Sequence, residues 1–411
     1  MEKILSPSEI NKLIQQIRTE VEQKPVSLSE LTAIQQSFEN FIARWETAYS
    51  RFGQNPSGEL AYRDVILYFT EDVLPKIRKH LSEKGPDKNA ADAVEFMLFP
   101  GEKMRQRLLP PNWRRFRQVR HLPGEFECPE FERPVFIVSA PRAGSTLLFE
   151  TLSKFDRVWT IGFENHDIET DIPYLHPETR NYESNRLTDA PPDVAAAVKH
   201  WFARQLRNRA GKLFLNTEEN ERPKATRFLE KTPKNAFRIP FLKKVFPDAL
   251  FIFLYRDPQE NISSMLEGWR SKRFLAYRDM PGWPYREWRF LLPPNWQTLA
   301  ECPLAEIAAY QWNAANQYIL DDLAALPRHE WCFVTYKSLV EQPAEAIRRI
   351  SSFAGLEWDE QAEVSVSGNL PLSSMVISPP SADKWRRHEA EIIPILPMTE
   401  AVAERVMQIE N

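Results

Sequence analysis

The chain has 411 residues, enough for one large core or for two or three domains. Apolar residues make up 43% and charged residues 27%, with a formal net charge of −4, so bulk electrostatics supply no pull toward a nucleic-acid partner. The three cysteines, Cys128, Cys302 and Cys332, are odd in number and far apart; they predict neither a disulfide framework nor a zinc site, and they fit a reduced, cytoplasmic setting.

Residues 1–125 read as helices broken by Pro and Gly, for example SPSEINKLIQQIRTEVEQ and SLSELTAIQQSFENFIARWETAYSRF. Ser6 and Ser27 each have a glutamate three residues on, Glu9 and Glu30, which is capping-box spacing. This part is expected to be a helical N-terminal appendage with no cluster tied to chemistry. The start of the chain, MEKILSPSEINKLIQQIRTE, is charged throughout and lacks the apolar core of a signal peptide. No apolar run reaches the roughly 18 residues of a membrane span, so none is expected. The stretch LPPNWRRFRQVRHLPG at 109–124 is basic and Pro-bounded, the pattern of a linker or a solvated face.

From residue 126 to 411 the texture changes to strands alternating with helices. VFIVSA (135–140), VWTI (158–161), RFLEK (227–231), ALFIFLYR (249–256) and WCFVTY (331–336) are short β-rich runs, several of them apolar on both faces. Helical patterns separate them, among them LLFETLSKF, PDVAAAVKHWFARQLRNR, PQENISSMLEGWR, LAEIAAYQWNAANQYILDDLAAL and PAEAIRRISSFAG. The expectation is an α/β domain: a P-loop-like parallel sheet flanked by helices. Segment 268–298 is rich in Trp, Tyr and Pro and too irregular for one helix; it reads as an aromatic lid over an apolar or ring-bearing small-molecule acceptor. Asn261-Ile262-Ser263 is a formal glycosylation sequon inside a helical pattern and is taken as chance.

The first strand runs into Pro141-Arg142-Ala143-Gly144-Ser145-Thr146-Leu147 and then a helix. Strand, small-residue loop and helix make an anion cradle: Gly144 permits close approach, the amides from Gly144 to Leu147 face the helix N-terminus, and Arg142 adds a planar, permanent charge. A Walker A loop would carry a lysine after its second glycine. Here Ser145 follows Gly144 directly, which counts against a Mg-ATP enzyme. A second strand ends at Arg256-Asp257-Pro258, and Ser264 lies eight residues beyond Arg256, two turns into the next helix.

Together P-R-x-G-[ST]-T and R-D-P-x₅-S resemble the two nucleotide signatures of sulfotransferases that use 3′-phosphoadenosine 5′-phosphosulfate (PAPS). LEKTPKNAFRIPFL (229–242), MPGWP (280–284), LLPPNWQTL (291–299) and PPSADKWRRHEAEI (379–392) are similar to segments of bacterial members. The resemblance covers about residues 133–390 and says nothing of residues 1–125. It implies that Arg142, Ala143, Gly144, Ser145, Thr146 and Leu147 hold the 5′-phosphosulfate and that Arg256 and Ser264 hold the 3′-phosphate. It further implies that Lys384 and Arg386 assist at that phosphate, with Trp385 near the adenine, and that no metal is required. Lys231 matches the lysine of a K-T-H motif, but Pro233 stands where that motif has its histidine. Other branches use a glutamate instead, and Glu164 falls at the matching place. His166, two residues on, has a suitable intrinsic pKa and stays open as the base. The implied reaction moves a sulfuryl group from PAPS to a hydroxyl or amine and releases 3′,5′-ADP. Two other classes stay open: a P-loop nucleotide kinase-like enzyme, and an inactive nucleotide-binding interaction protein.

Overall fold

A computed structural model describes residues 126–411, apart from 167, 272, 369, 378–380, 382 and 411. The helical appendage expected for 1–125 and the basic 109–124 stretch lie outside the described residues.

The sheet is assembled from β1 (Glu130–Phe131), β2 (Val135–Val138), β3 (Val158–Trp159), β4 (Ala225–Lys231), β5 (Leu250–Tyr255) and β8 (Trp331–Thr335). Its order is β1-β4-β2-β5-β8, with β3 also on β4, and every pairing is parallel. The helices that matter for the site are α1 (Ser145–Leu152), α5 (Pro258–Arg270), α6 (Leu304–Ala324) and α8 (Pro343–Ala354); between α1 and α5 lie α2 (Ile168–Asp171), α3 (Pro192–Gln205) and α4 (Ile239–Val245), and α7 (Tyr336–Glu341) leads from β8 into α8.

The apolar strands segregate by alternation, because successive side chains point to opposite faces. Phe136, Val138, Phe251, Phe253 and Phe333 belong to one core. Val135, Ile137, Ile252, Leu254 and Val334 belong to the other, beneath Leu148 and Leu152 of α1 and Ile347 and Ile350 of α8. Both faces are covered, which is why these runs read as continuously apolar. The run at 158–161 stops short as a strand: Thr160 leaves β4 and exchanges two backbone hydrogen bonds with Arg207, at 2.9 and 2.7 Å. After α9 (Glu360–Val366), two helices beyond residue 388, α10 (Glu389–Ile392) and α11 (Glu400–Glu410), were not among the expected elements.

Segment 268–298 contains a hairpin of β6 (Leu275–Arg278) and β7 (Glu287–Arg289), paired antiparallel. Its rings pack inward. Trp288 and Trp296 are fully buried, and Trp283 meets Trp288 edge-on at 4.7 Å. Each indole N–H has a partner: Trp288 donates to the Leu291 carbonyl at 3.0 Å, and Trp296 to the Tyr182 carbonyl at 2.6 Å. Gln311 of α6 donates to the Arg289 and Leu291 carbonyls at 2.8 and 2.9 Å, locking the hairpin to the helix. These tryptophans are core, and Tyr285, near the hairpin tip, is the exposed ring of the segment.

Candidate active site

Ligands of open parallel sheets bind beyond the carboxyl ends of the strands. Here the ends of β2, β4 and β5 gather the residues singled out above. The β2–α1 loop turns on two left-handed residues, Arg142 (φ 67°) and Gly144 (φ 103°). A Cβ on Gly144 would lie 2.4 Å from Cδ2 of Tyr336, so glycine is required there for space as well as for φ. The Ala143 amide closes back on the Ala140 carbonyl at 3.3 Å, and Asn261 of α5 donates to the Pro141 carbonyl at 2.7 Å. That bond accounts for the buried sequon asparagine.

The two loop motifs meet. Arg142 Nε lies 3.4 Å from Ser264 Oγ, and Arg256 donates to the Arg142 carbonyl at 3.3 Å. Arg256 also pairs with Glu260 at 3.0 Å and lies over the Tyr336 ring at 4.3 Å. Arg142 donates to the Met375 carbonyl at 2.9 Å and lies 4.7 Å over Phe274. Burial, then the nearby Arg273 and Arg256 guanidiniums, push Arg142 down to about 10. Glu164 and Glu267 act on Arg142 in the opposite sense, favouring its charged form.

On the other side of the loop, Lys231 at the end of β4 donates to Thr146 Oγ1 at 3.0 Å and forms an ion pair with Glu164. The other Glu164 oxygen is 2.7 Å from His166 Nε2. Lys231 is buried, Glu164 is half-buried and His166 is exposed. Burial opposes ionisation of Glu164, but the Lys231 ammonium and the His166 ring hold its carboxyl well below the usual carboxylate range.

Beneath this pair lies the fully buried Glu230. It accepts from the Thr232 hydroxyl at 2.6 Å and from the Asn235 amide, while Thr232 Oγ1 accepts the Asn165 backbone N–H at 2.8 Å. Burial pushes Glu230 up to about 7 against those hydrogen bonds. Glu169 receives Lys234, Arg238 and the Tyr277 hydroxyl, the last at 3.1 Å. Burial opposes ionisation of Glu169 too, yet the two cations bring it down to about 2.

Arg142, Gly144, Ser145, Thr146, Arg256, Ser264, Lys231, Glu164 and His166 are thus gathered around one set of strand ends. Lys384 docks onto α5 through Glu267 at 2.7 Å, and Trp385 packs against the core. Arg386 faces its own neighbours instead, with Asp383 at 3.1 Å and Glu389 at 2.9 Å. Sequence reading missed Arg273, Tyr336, Glu230 and Thr232. Tyr336 ends an expected strand, a position that could have marked it; Arg273 carries no comparable local signal. Among the described residues, no group of three or more His, Cys, Asp or Glu side chains is disposed to hold a metal ion, and no helix is long and apolar enough to cross a membrane.

Known proteins resemble parts of this chain. Protein-tyrosine sulfotransferase A of Caenorhabditis elegans is 22% identical over 275 residues, 61% of this chain and 60% of that protein. An uncharacterized protein of Aquifex aeolicus (strain VF5) is 21% identical over 279 residues, 64% of this chain and 32% of that protein. The chain therefore spans less than two thirds of either relative. The crystal structure of a sulfotransferase from Alicyclobacillus acidocaldarius is 15% identical and matches 66% of this chain and 96% of that one, with a TM-score of 0.34. The model of the sulfotransferase family matches residues 134–360, a span that holds the cradle, the Glu164 loop, the Lys231 turn and the Arg256–Ser264 motif, and the chain belongs to that family.

Proposed function

We propose that the chain transfers a sulfuryl group from PAPS to a hydroxyl or amine of a small-molecule acceptor, releasing 3′,5′-ADP. The observation that carries this reading is the meeting of the two anion motifs, Arg142 with Ser264 and Arg256, next to the Lys231–Glu164 pair. In this reading the loop from Arg142 to Leu147 takes the 5′-phosphosulfate, and Arg256 with Ser264 takes the 3′-phosphate. Lys384 and Trp385 flank the nucleotide, and Arg386 would have to leave Asp383 and Glu389 to join them.

The acceptor oxygen bonds to sulfur as the bond from sulfur to the 5′-phosphate oxygen breaks. The electron pair leaves on that phosphate oxygen, where Lys231 and Arg142 offset the growing charge. The acceptor proton passes to Glu164. Lys231 already bridges the cradle hydroxyl of Thr146 and the Glu164 carboxylate, so one ammonium serves both ends of the transfer. The hairpin borders the acceptor side, where Tyr277 reaches Glu169 a few residues past the base. We take residues 126–411 as the transferase domain, in a cytoplasmic protein that needs no metal.

Thermal unfolding with 3′,5′-ADP and with ATP·Mg²⁺ tests the donor. A ligand at about 100 times its Kd stabilises the fold by roughly 2.7 kcal/mol. Selective stabilisation by 3′,5′-ADP is expected, and stabilisation by ATP·Mg²⁺ alone would turn the reading into a kinase-like one. Release of 3′,5′-ADP from PAPS with a panel of alcohols, phenols and amines then separates an enzyme from an idle binder.

A further inference from the structure

The EKTPKN turn after β4 holds more charge than the transfer uses. Lys231 faces the cradle and Lys234 pairs with Glu169, which leaves Glu230. Its side chain is 0% exposed at the register position opposite Phe136. An isolated carboxylate in such a place costs several kcal/mol, and an apolar residue of similar size commonly serves stability as well or better. What the carboxylate does here is accept twice.

The polarity of the chain of hydrogen bonds is fixed. The Asn165 backbone N–H can only donate, so Thr232 Oγ1 accepts from it at 2.8 Å. The Thr232 proton is then directed at Glu230 Oε1, 2.6 Å away. The Asn235 amide nitrogen donates to Glu230 Oε2, and the Asn235 backbone N–H closes the turn on the Thr232 carbonyl at 2.9 Å. Asn165, itself buried, stands between Glu164 and His166. Lys231 follows Glu230 directly on β4. Both members of the Lys231–Glu164 pair are therefore registered against one buried carboxylate, although they come from segments 67 residues apart.

We propose that Glu230 is a positioning residue: through Thr232 it pins the Asn165 amide and so holds the Glu164 loop at the distance from Lys231 that the transfer needs. This rests on the sulfotransferase reading given above. Glutamine cannot replace it, because an amide offers one acceptor oxygen where two donors converge, and its NH₂ would face a donor.

The test uses the full chain at pH 8, above the raised Glu230 value, with Thr232→Val, Thr232→Ser and Glu230→Gln. Thr232→Val is close to isosteric and guards against a Glu230 variant that fails to fold. Three readouts are taken: hydrogen exchange of the peptide covering 163–169, calorimetric affinity for 3′,5′-ADP, and release of 3′,5′-ADP from PAPS with 4-nitrophenol or water as acceptor. Thr232→Val and Glu230→Gln are expected to speed exchange at 163–169 and to lower kcat by about 10²-fold, the effect of misplacing a reacting group by about 1 Å. Their 3′,5′-ADP affinity should stay within about threefold of wild type, since none of the hydrogen bonds at stake is made by a residue assigned to the nucleotide. Thr232→Ser should restore both exchange and kcat. Unchanged exchange at 163–169 in Thr232→Val overturns the inference whatever the turnover, and faster exchange with unchanged kcat overturns it as well. Wild-type protein that ignores 3′,5′-ADP sinks the sulfotransferase reading instead, and the exchange arm still decides whether Glu230 holds the loop.

Discussion

Removing the charge of Glu164 should have two separable consequences. In Glu164→Gln the Lys231 ammonium, with only 4% of its side chain exposed, keeps Thr146 Oγ1 at 3.0 Å but loses its counter-charge. Stranding one partner of a fully buried pair costs about 3–5 kcal/mol. With the neutral Thr146 contact retained and Glu164 itself 15% exposed, about 2–3 kcal/mol is expected. Adding Lys231→Met removes the stranded charge, so the double variant should be more stable than the sum of the singles predicts, by about 2 kcal/mol of coupling. Urea midpoints at constant m-value read this out. On PAPS turnover, Glu164→Gln should cost about 10²–10⁴, the contribution of a positioned general base. Because Lys231 and His166 hold the carboxyl below the usual carboxylate range, Glu164 stays ionised from mildly acidic pH upward. The acid limb of kcat/KM that belongs to it must then fall below the ordinary carboxylate range, leaving the profile flat toward neutrality. Strictly additive stabilities would refute the coupling. An acid limb lost in His166→Ala and kept in Glu164→Gln would move the base to His166.

Gly144→Ala should cost about 1–3 kcal/mol for its left-handed φ and about 1–3 more for the contact at 2.4 Å with Tyr336. Gly282→Ala, at φ +84° with nothing within 4 Å, should lose only the first part; equal losses in urea would remove the clash from the account. Arg256→Ala should weaken 3′,5′-ADP about ten- to a hundredfold while sparing adenosine 5′-phosphosulfate, and calorimetry showing equal loss for both would end its assignment to the 3′-phosphate. Glu169→Gln should destabilise the protein by about 3–5 kcal/mol at pH 7, because Lys234 and Arg238 stay buried beside a neutral amide. Glu169 is depressed to about 2, so its stabilisation is present above the unfolded carboxyl value and fades as pH falls toward 2. The gap between variant and wild type should therefore narrow on acidification, and a gap independent of pH would exclude the linkage.

The features legible from the residues alone are local. Short continuous apolar runs placed β2, β5 and β8, because side chains alternate between the two faces and both faces of these strands had to be covered. The cradle was legible because a strand, a Gly-Ser-Thr turn and a helix N-terminus are contiguous in the chain. The pair of motifs at Arg142 and Arg256 was legible because their spacing is short within each motif. Tertiary structure decided the partners. Lys231 meets Thr146 and Glu164 across 85 and 67 residues, and Arg142 meets the Met375 carbonyl across 233. Such contacts follow from sheet order, which brings β4 beside β2, and no local pattern encodes that order. The tryptophans of 268–298 make the same point. Their abundance suited a covering lid, but burying a large ring whose N–H can reach a carbonyl is favourable wherever α6 offers a wall, and that wall exists only in the folded chain. Glu230 was silent for the opposite reason: a glutamate next to a lysine at a strand end looks like a solvated charge until the strand beside it is in place.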